Sequence, residues 1–255
     1  MRALYTAATG MAANQLKIEN IANNIANSST SGFKKVRESY EDLVYQRVPG
    51  SGVDGMQIGS GVRVASLTRN FANGDTVPSS NATDMMIDGA GFFIVETPSG
   101  ETLYTRDGHF RTDVDGNLTT QAGNLVSPGI QVPDGGTLVV GSDGSLSADL
   151  TNSSTGVVER LALGTLEIAH FQNPEALEAA GGNLYRATPD AGSVSRGTPG
   201  QDGAGQVLQY ATEGSNVDVA EELVNMITAQ RSYEMSSKVI QAADEMLQTA
   251  VGLKR

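Results

Sequence analysis

Residues 215–251, SNVDVAEELVNMITAQRSYEMSSKVIQAADEMLQTAV, decide the fold. Val219, Met226, Tyr233, Ile240 and Leu247 recur at an unbroken seven-residue interval, and Leu223, Ile227, Val239, Met246 and Val251 widen the apolar stripe on either side. This spacing predicts one long helix. Ser215 to Asp218 fits a capping box, Asp218, Glu221 and Glu222 fall where the helix dipole favours anions, and neither Gly nor Pro interrupts before Gly252. Such a helix is about 50 Å long at ~1.5 Å per residue. It outruns an ordinary globular helix and is expected to project from the body of the protein.

The opposite end of the chain repeats the pattern. Leu4, Met11, Ile18 and Ile25 are also seven apart, with Ala7, Ala8, Ile21 and Ala22 beside them. Two terminal helices pairing as a coiled coil leave everything between them as one long insertion. Stripes paired only with each other would still leave Leu, Ile, Met and Val facing water, so further copies of the chain are expected to cover them. Residues 1–37 carry five Lys/Arg against Glu19 alone, residues 213–255 carry four against seven acids, and the middle holds -13 of charge within the total of -12. The opposite signs of the two ends suit their pairing. A sequence pI near 4.5 without a Lys/Arg-rich run argues against nucleic-acid binding.

With no cysteine, disulfides and thiolate metal sites are excluded. No segment approaches the ~20 apolar residues of a membrane span, so no membrane insertion is expected, and the first residues do not form a convincing secretory signal. Four asparagines, Asn14, Asn20, Asn23 and Asn24, lie in the first helix despite their poor helix propensity; they either hydrogen-bond between chains to set register or sit on a solvated face. The run Asn27 to Gly32 ends that helix.

From Val62 the apolar pattern changes to period two and short runs: Val62–Leu67, Gly91–Val95, Thr137–Val140 and Leu161–Ile168. Asp107-Gly108, Asp115-Gly116-Asn117 and Asp143-Gly144 supply the chemistry of tight antiparallel hairpins. A helical turn is expected around Pro174–Glu178, and a long surface loop from Ala191 to Gly205. The predicted class is α+β. Its parts are a discontinuous helical domain of residues 1–32 plus 214–255, an extended connecting segment 33–76, and an antiparallel β domain 77–213.

Catalytic and cofactor patterns are imitated and not completed. Ser31-Gly32-Phe33-Lys34 has the Ser-x-x-Lys spacing without companion motifs and sits in a turn. Asp113 to Asn117 begins like a calcium loop, but the sixth position is not Gly and the twelfth, Asn124, is not Glu. Gly89-Ala90-Gly91 lacks a third glycine and precedes a strand, which leaves packing or close backbone approach as its use. His109 and His170 stand apart, without metal-site spacing or a nucleophile motif, and read as strand residues. No catalytic, cofactor or metal residue is assigned.

One group of motifs does match a known family. Asn23-Asn24-Ile25-Ala26-Asn27 followed by Thr30-Ser31-Gly32-Phe33-Lys34 resembles the N-terminal signature of bacterial flagellar rod and hook proteins, with Asn23, Asn24, Asn27, Gly32 and Phe33 as its marks. Gln57–Val62, Asp88–Phe93, Tyr104–Gly108 and Glu213–Val217 stand in order where that family has similar motifs. Val219–Ile227 with Gln230–Glu234 looks most like the distal-rod branch. Between Gln46 and Gln57 lie only Arg47 to Met56, a turn-rich stretch where distal-rod members commonly carry a longer insertion.

The resemblance implies a non-enzymatic structural subunit that needs no cofactor. It would self-assemble helically into the tubular distal rod, transmit torque and enclose the export channel. Implied partners are further copies of itself, other rod proteins and the hook, the surrounding ring proteins and the flagellar type III export apparatus. The implied location is the basal body, along the rod that crosses the periplasm towards the outer membrane. Another axial protein of the family, a proximal rod or hook component, is the alternative.

Overall fold

The computed structural model describes residues 2–47, 57–151, 158–201 and 203–252. The turn-rich stretch 48–56 lies outside the described residues. By its contacts the chain divides into two compact units, one made of Met1–Ser28, Val36–Asn70 and Val217–Arg255, the other of Ser29–Lys35 and Phe71–Asn216.

The first unit holds two helices, α1 (Arg2–Ala26) and α2 (Val219–Gly252), and four strands, β1 (Val36–Asp42), β2 (Gln46–Arg47), β3 (Gln57–Ile58) and β4 (Val62–Arg69). The helices lie against each other over much of α1. The cap of α2 is shifted from its expected place: Asp218 Oδ1 accepts from the amides of Ala220 at 2.8 Å and Glu221 at 3.2 Å, so Asp218 and not Ser215 caps the helix. Segment 33–76, read as an extended connection, contains an antiparallel ribbon of β1 with β4, bulged between Ser39 and Tyr40. The burial of β1 alternates except at this bulge, and the strand packs on α1.

The second unit holds β5 (Thr76–Pro78), β6 (Met85–Asp88), β7 (Phe92–Glu96), β8 (Thr102–Thr105), β9 (Phe110–Thr112), β10 (Leu118–Thr120), β11 (Leu125–Val126), β12 (Gly136–Val140), β13 (Ser145–Thr151), β14 (Val158–Thr165), β15 (Ile168–His170), β16 (Glu178–Gly181), β17 (Leu184–Arg186), β18 (Ser195–Gly197), β19 (Gln206–Gln209) and β20 (Ala211–Glu213). All described pairings are antiparallel. Strand β7 is the axis of the unit. One edge pairs with β8, and the other is shared by β15 at Phe92 and Phe93 and by β11 at Val95 and Glu96.

Its sequence explains that position. Successive side chains point to opposite faces, so a strand buried on both sides must be continuously apolar. Phe93 and Val95 enter one core with Met85, Leu118, Leu138 and Leu146, while Phe92 and Ile94 enter another with Tyr104, Phe171 and Tyr185. Edge-to-face rings fill the second core, Phe71 lying 5.2 Å from both Phe92 and Tyr185.

The turns at Asp115-Gly116 and Asp143-Gly144 close the hairpins β9–β10 and β12–β13. Asp107-Gly108 does not close one: β8 pairs with β7 and β17, and β9 pairs with β10. A Cβ on Gly108 would strike the carbonyl of Met85, so glycine there serves close backbone approach. Leu161–Ile168 is two strands, because the chain breaks at Leu166, whose side chain is buried in the first core. Residues 191–205 contain β18, paired with β15, so this stretch is only partly loop. A 3-10 turn forms at Pro174–Ala176.

Candidate functional site

The sequence assigns self-assembly to the helical surfaces. Leu4, Met11, Ile18 and Ile25 on α1 and Met226, Tyr233 and Ile240 on α2 are half-buried, whereas Val219 and Leu247 are exposed. The innermost line of α2 is a different row, Glu222, Ala229 and Ala243, with Ser236 completing its seven-residue spacing. Small side chains allow close approach there: a Cβ on Gly10 would lie 3.6 Å from Ser236 Oγ. Large apolar side chains flank this line, and many stay in water. Val224 is 61% exposed, Ile227 50%, Met235 60% and Met246 66%. Isolated exposed apolar residues are ordinary, but along α2 they follow one another densely.

The asparagines resolve into distinct roles. Asn24 is buried, and its amide bonds Val36 in both directions, Nδ2 donating to the carbonyl at 3.0 Å and Oδ1 accepting from the amide at 3.1 Å. Asn20 Nδ2 donates to the same carbonyl at 3.0 Å and to Glu38 Oε2 at 2.5 Å. Asn14 donates to Gly10 and Asn27 to Asn23, each one turn back along the helix. Asn23 itself is exposed at its side chain, and its carbonyl accepts from Asn27. Asn20 and Asn24 therefore tie β1 to α1 within one chain.

The second unit contains a cluster that no sequence pattern announces. Lys34 and Glu213 are fully buried, 2.6 Å apart, and Arg106 is buried with Nη1 at 3.5 Å from Glu213. Lys34 Nζ also donates to the Ala72 carbonyl at 2.7 Å, and Glu213 Oε1 accepts from the Gly74 amide at 2.9 Å. Arg106 Nη2 donates to the Gly89 carbonyl at 2.8 Å, and its guanidinium lies over the Phe92 ring, 5.2 Å from its centroid. Burial pulls the Lys34 ammonium below its ordinary pKa against the opposing attraction of Glu213, and acts likewise on Arg106.

Gly32 and Phe33 fit around this cluster. Gly32 has a φ of +68°, and a Cβ on it would lie 2.7 Å from the Asp107 amide nitrogen; its own amide donates to the Glu213 carbonyl at 2.8 Å. The Phe33 carbonyl accepts from the Asn216 amide. Lys34, Glu213 and Arg106 each come from a different family-like motif, and Gly89 from a fourth. Their shared setting in those motifs was the available signal, but nothing local marks a pair 179 residues apart.

No group of three or more His, Asp or Glu side chains suited to a metal exists among the described residues, and no described helix is long and apolar enough to cross a membrane. Lys34, the lysine of Ser-x-x-Lys, is committed to Glu213 and Ala72. His109 Nδ1 sits 2.9 Å from Asp107 Oδ1, and His170 ends β15.

Comparison with known proteins agrees with these motifs. Residues 4–34 match the family model described as flagella basal body rod protein, residues 86–148 the flagellar hook protein FlgE/F/G D1 domain, and residues 208–253 the flagellar basal body rod FlgEFG protein C-terminal. The chain is 41% identical to the flagellar basal-body rod protein FlgG of Caulobacter vibrioides over the whole of both proteins. It is 37% identical to FlgG of Bacillus subtilis, again over all of both chains. To FlgF of Caulobacter vibrioides it is 32% identical, over 98% of this chain and 96% of that one.

Proposed function

The chain belongs to the family of flagellar basal-body rod proteins, a structural and not an enzymatic family, and we propose that within it this protein is the distal-rod subunit. It acts in the basal body, where copies polymerise helically into a tube that transmits torque and encloses the export channel. A contact that does not close on itself repeats indefinitely, which is the symmetry a shaft requires.

The observation that carries this reading is the exposure of large apolar side chains along α2 in the single chain. In this reading α1 and α2 form a coiled coil whose rows Leu4, Met11, Ile18, Ile25 and Val219, Met226, Tyr233, Ile240, Leu247 complete their burial against neighbouring copies. Residues 1–32 with 214–255 then serve as the assembly domain, 33–76 as the connection and 77–213 as the β domain. Other rod proteins, the hook and the surrounding rings are the partners at its ends and flank, and the flagellar type III apparatus exports the chain. The lower identity to FlgF, 32% against 41% to FlgG in the same organism, favours the distal over a proximal rod subunit.

Replacement of Ile240 by Asp tests the assembly row. A carboxylate without a partner and the loss of packing each cost several kcal/mol once the position is covered by neighbours. Cells carrying Ile240→Asp as their sole copy should build no distal rod and be non-motile, while the purified protein keeps the thermal transition of its β unit. Normal motility of that strain would remove the row from the assembly core.

A further inference from the structure

Four times the chain passes between the two units, and on the β unit those crossings leave from Ser29, Lys35, Phe71 and Asn216. The three segments that carry these four crossings meet in the ionic cluster. Segment 29–35 contributes Lys34 and binds through the Gly32 amide to the Glu213 carbonyl. Segment 71–75 supplies the Ala72 carbonyl to Lys34 and the Gly74 amide to Glu213, and its Asp75 carbonyl accepts from the Gly214 amide at 2.7 Å. Segment 213–216 contributes Glu213 and then Asn216, whose side chain accepts from the Lys35 amide at 2.7 Å and donates to the Ala72 carbonyl at 3.0 Å. Arg106 fastens the cluster to the sheet through Glu213, Gly89 and Ile87.

We infer that Lys34, Glu213 and Arg106 form a mechanical anchor that spreads force arriving along any departing segment over all of them and into the buried sheet. Without it, tension on segment 213–216 would fall on the short ladder of β20 with β5, three residue pairs that could open one after another, and tension on segment 29–35 on the single bonds from the Gly32 amide to Glu213 and from Asn183 to the Ser31 carbonyl. Charge suits this use. Ionic hydrogen bonds are short and directional, and breaking a buried pair exposes uncompensated charge in a dry site, so the cluster resists a small displacement more steeply than apolar packing does. A merely stabilising role would be served as well by apolar residues of similar volume. These are positioning residues; the inference deepens the drive-shaft reading and rests on it for its purpose.

Single-chain pulling distinguishes the two roles. The chain has no cysteine, so handles can be introduced in pairs without a background thiol. One pair, Tyr5→Cys with Met246→Cys, loads the β unit through its departing segments; the other, Ser99→Cys with Val114→Cys, loads it through two exposed turns far from them in sequence. In the triple variant Lys34→Met, Arg106→Met, Glu213→Met, and independently in Lys34→Leu, Arg106→Leu, Glu213→Leu, neither of which leaves a buried charge without its partner, the β-unit unfolding force on the first axis should drop by about twofold, with the second axis unchanged. Equal drops on both axes would make the cluster an ordinary core element and overturn the anchor, as would an unaltered first axis. A β unit that unfolds without load in both variants would overturn it too. Because the pulling uses single chains, an anchor that holds in a protein that builds no rod would sink the drive-shaft reading alone.

Discussion

Asn24 is the residue whose replacement tests the architecture of the helical unit most sharply. Its carboxamide is buried and satisfies both backbone groups of Val36, at the first residue of β1. Among the described residues the ribbon of β1 with β4 has no third strand, and two strands alone are barely stable in water. In Asn24→Ala the Val36 carbonyl still accepts from Asn20, so the damage centres on the Val36 amide and on two lost hydrogen bonds, worth about 2 kcal/mol together. That corresponds to about thirtyfold faster amide exchange through β1. Asn24→Asp adds a pH signature. One carboxylate oxygen can still accept from the Val36 amide, but the other faces the Val36 carbonyl and has no proton to give. The introduced carboxyl therefore has its folded-state pKa raised; its stabilising form is fully present below the ordinary carboxylate range and is lost as pH rises through the shifted value. Hydrogen exchange read residue by residue checks both variants. Protection of Val36 and Arg37 within about threefold of wild type in Asn24→Ala would refute the assignment of Asn24 as the tie between helix and ribbon.

Gly32→Ala places a methyl 2.7 Å from the Asp107 nitrogen and 2.9 Å from the Arg106 carbonyl carbon, at a φ of +68°, so neither neighbour can move as a flexible side chain would. The cost of about 3 kcal/mol should lower the β-unit melting temperature by about 10 °C in calorimetry, and an unchanged transition would show that the turn is not held there. Tyr40 has its phenol pushed up from 10.0 to about 12, first by burial and then by the Glu38 carboxylate. Its neutral form supports the ribbon fully below pH 10.0 and that support is lost as pH rises through about 12, so the phenolate absorbance missing from Tyr40→Phe should appear near pH 12; an appearance near pH 10 contradicts the contact.

Sequence alone determined whatever depends on neighbours a few residues away. Seven-residue spacing makes a helix because i, i+3, i+4 and i+7 share a face, so both α1 and α2 were legible. Phe92 to Val95 was legible as a strand because continuous apolarity over a short run bounded by Gly is what burial on two faces demands. Asp115-Gly116 and Asp143-Gly144 were legible because a tight turn needs a positive φ that glycine supplies. The same local logic misplaced Asp107-Gly108, where glycine answers the distant Met85 carbonyl and not a hairpin. Tertiary structure decided everything whose energy comes from residues far apart in the chain. Nothing local marks a lysine in a turn-like motif or a glutamate before a helix for burial; only folding removes them from water together, and then each becomes the condition for burying the other. Asn24 is likewise a poor helix residue until Val36, twelve positions on, returns to use its amide. Which row of α2 faces inward also came from packing, since periodicity fixes a stripe but not its centre, and the small Ala229, Ser236 and Ala243 let α1 come closest.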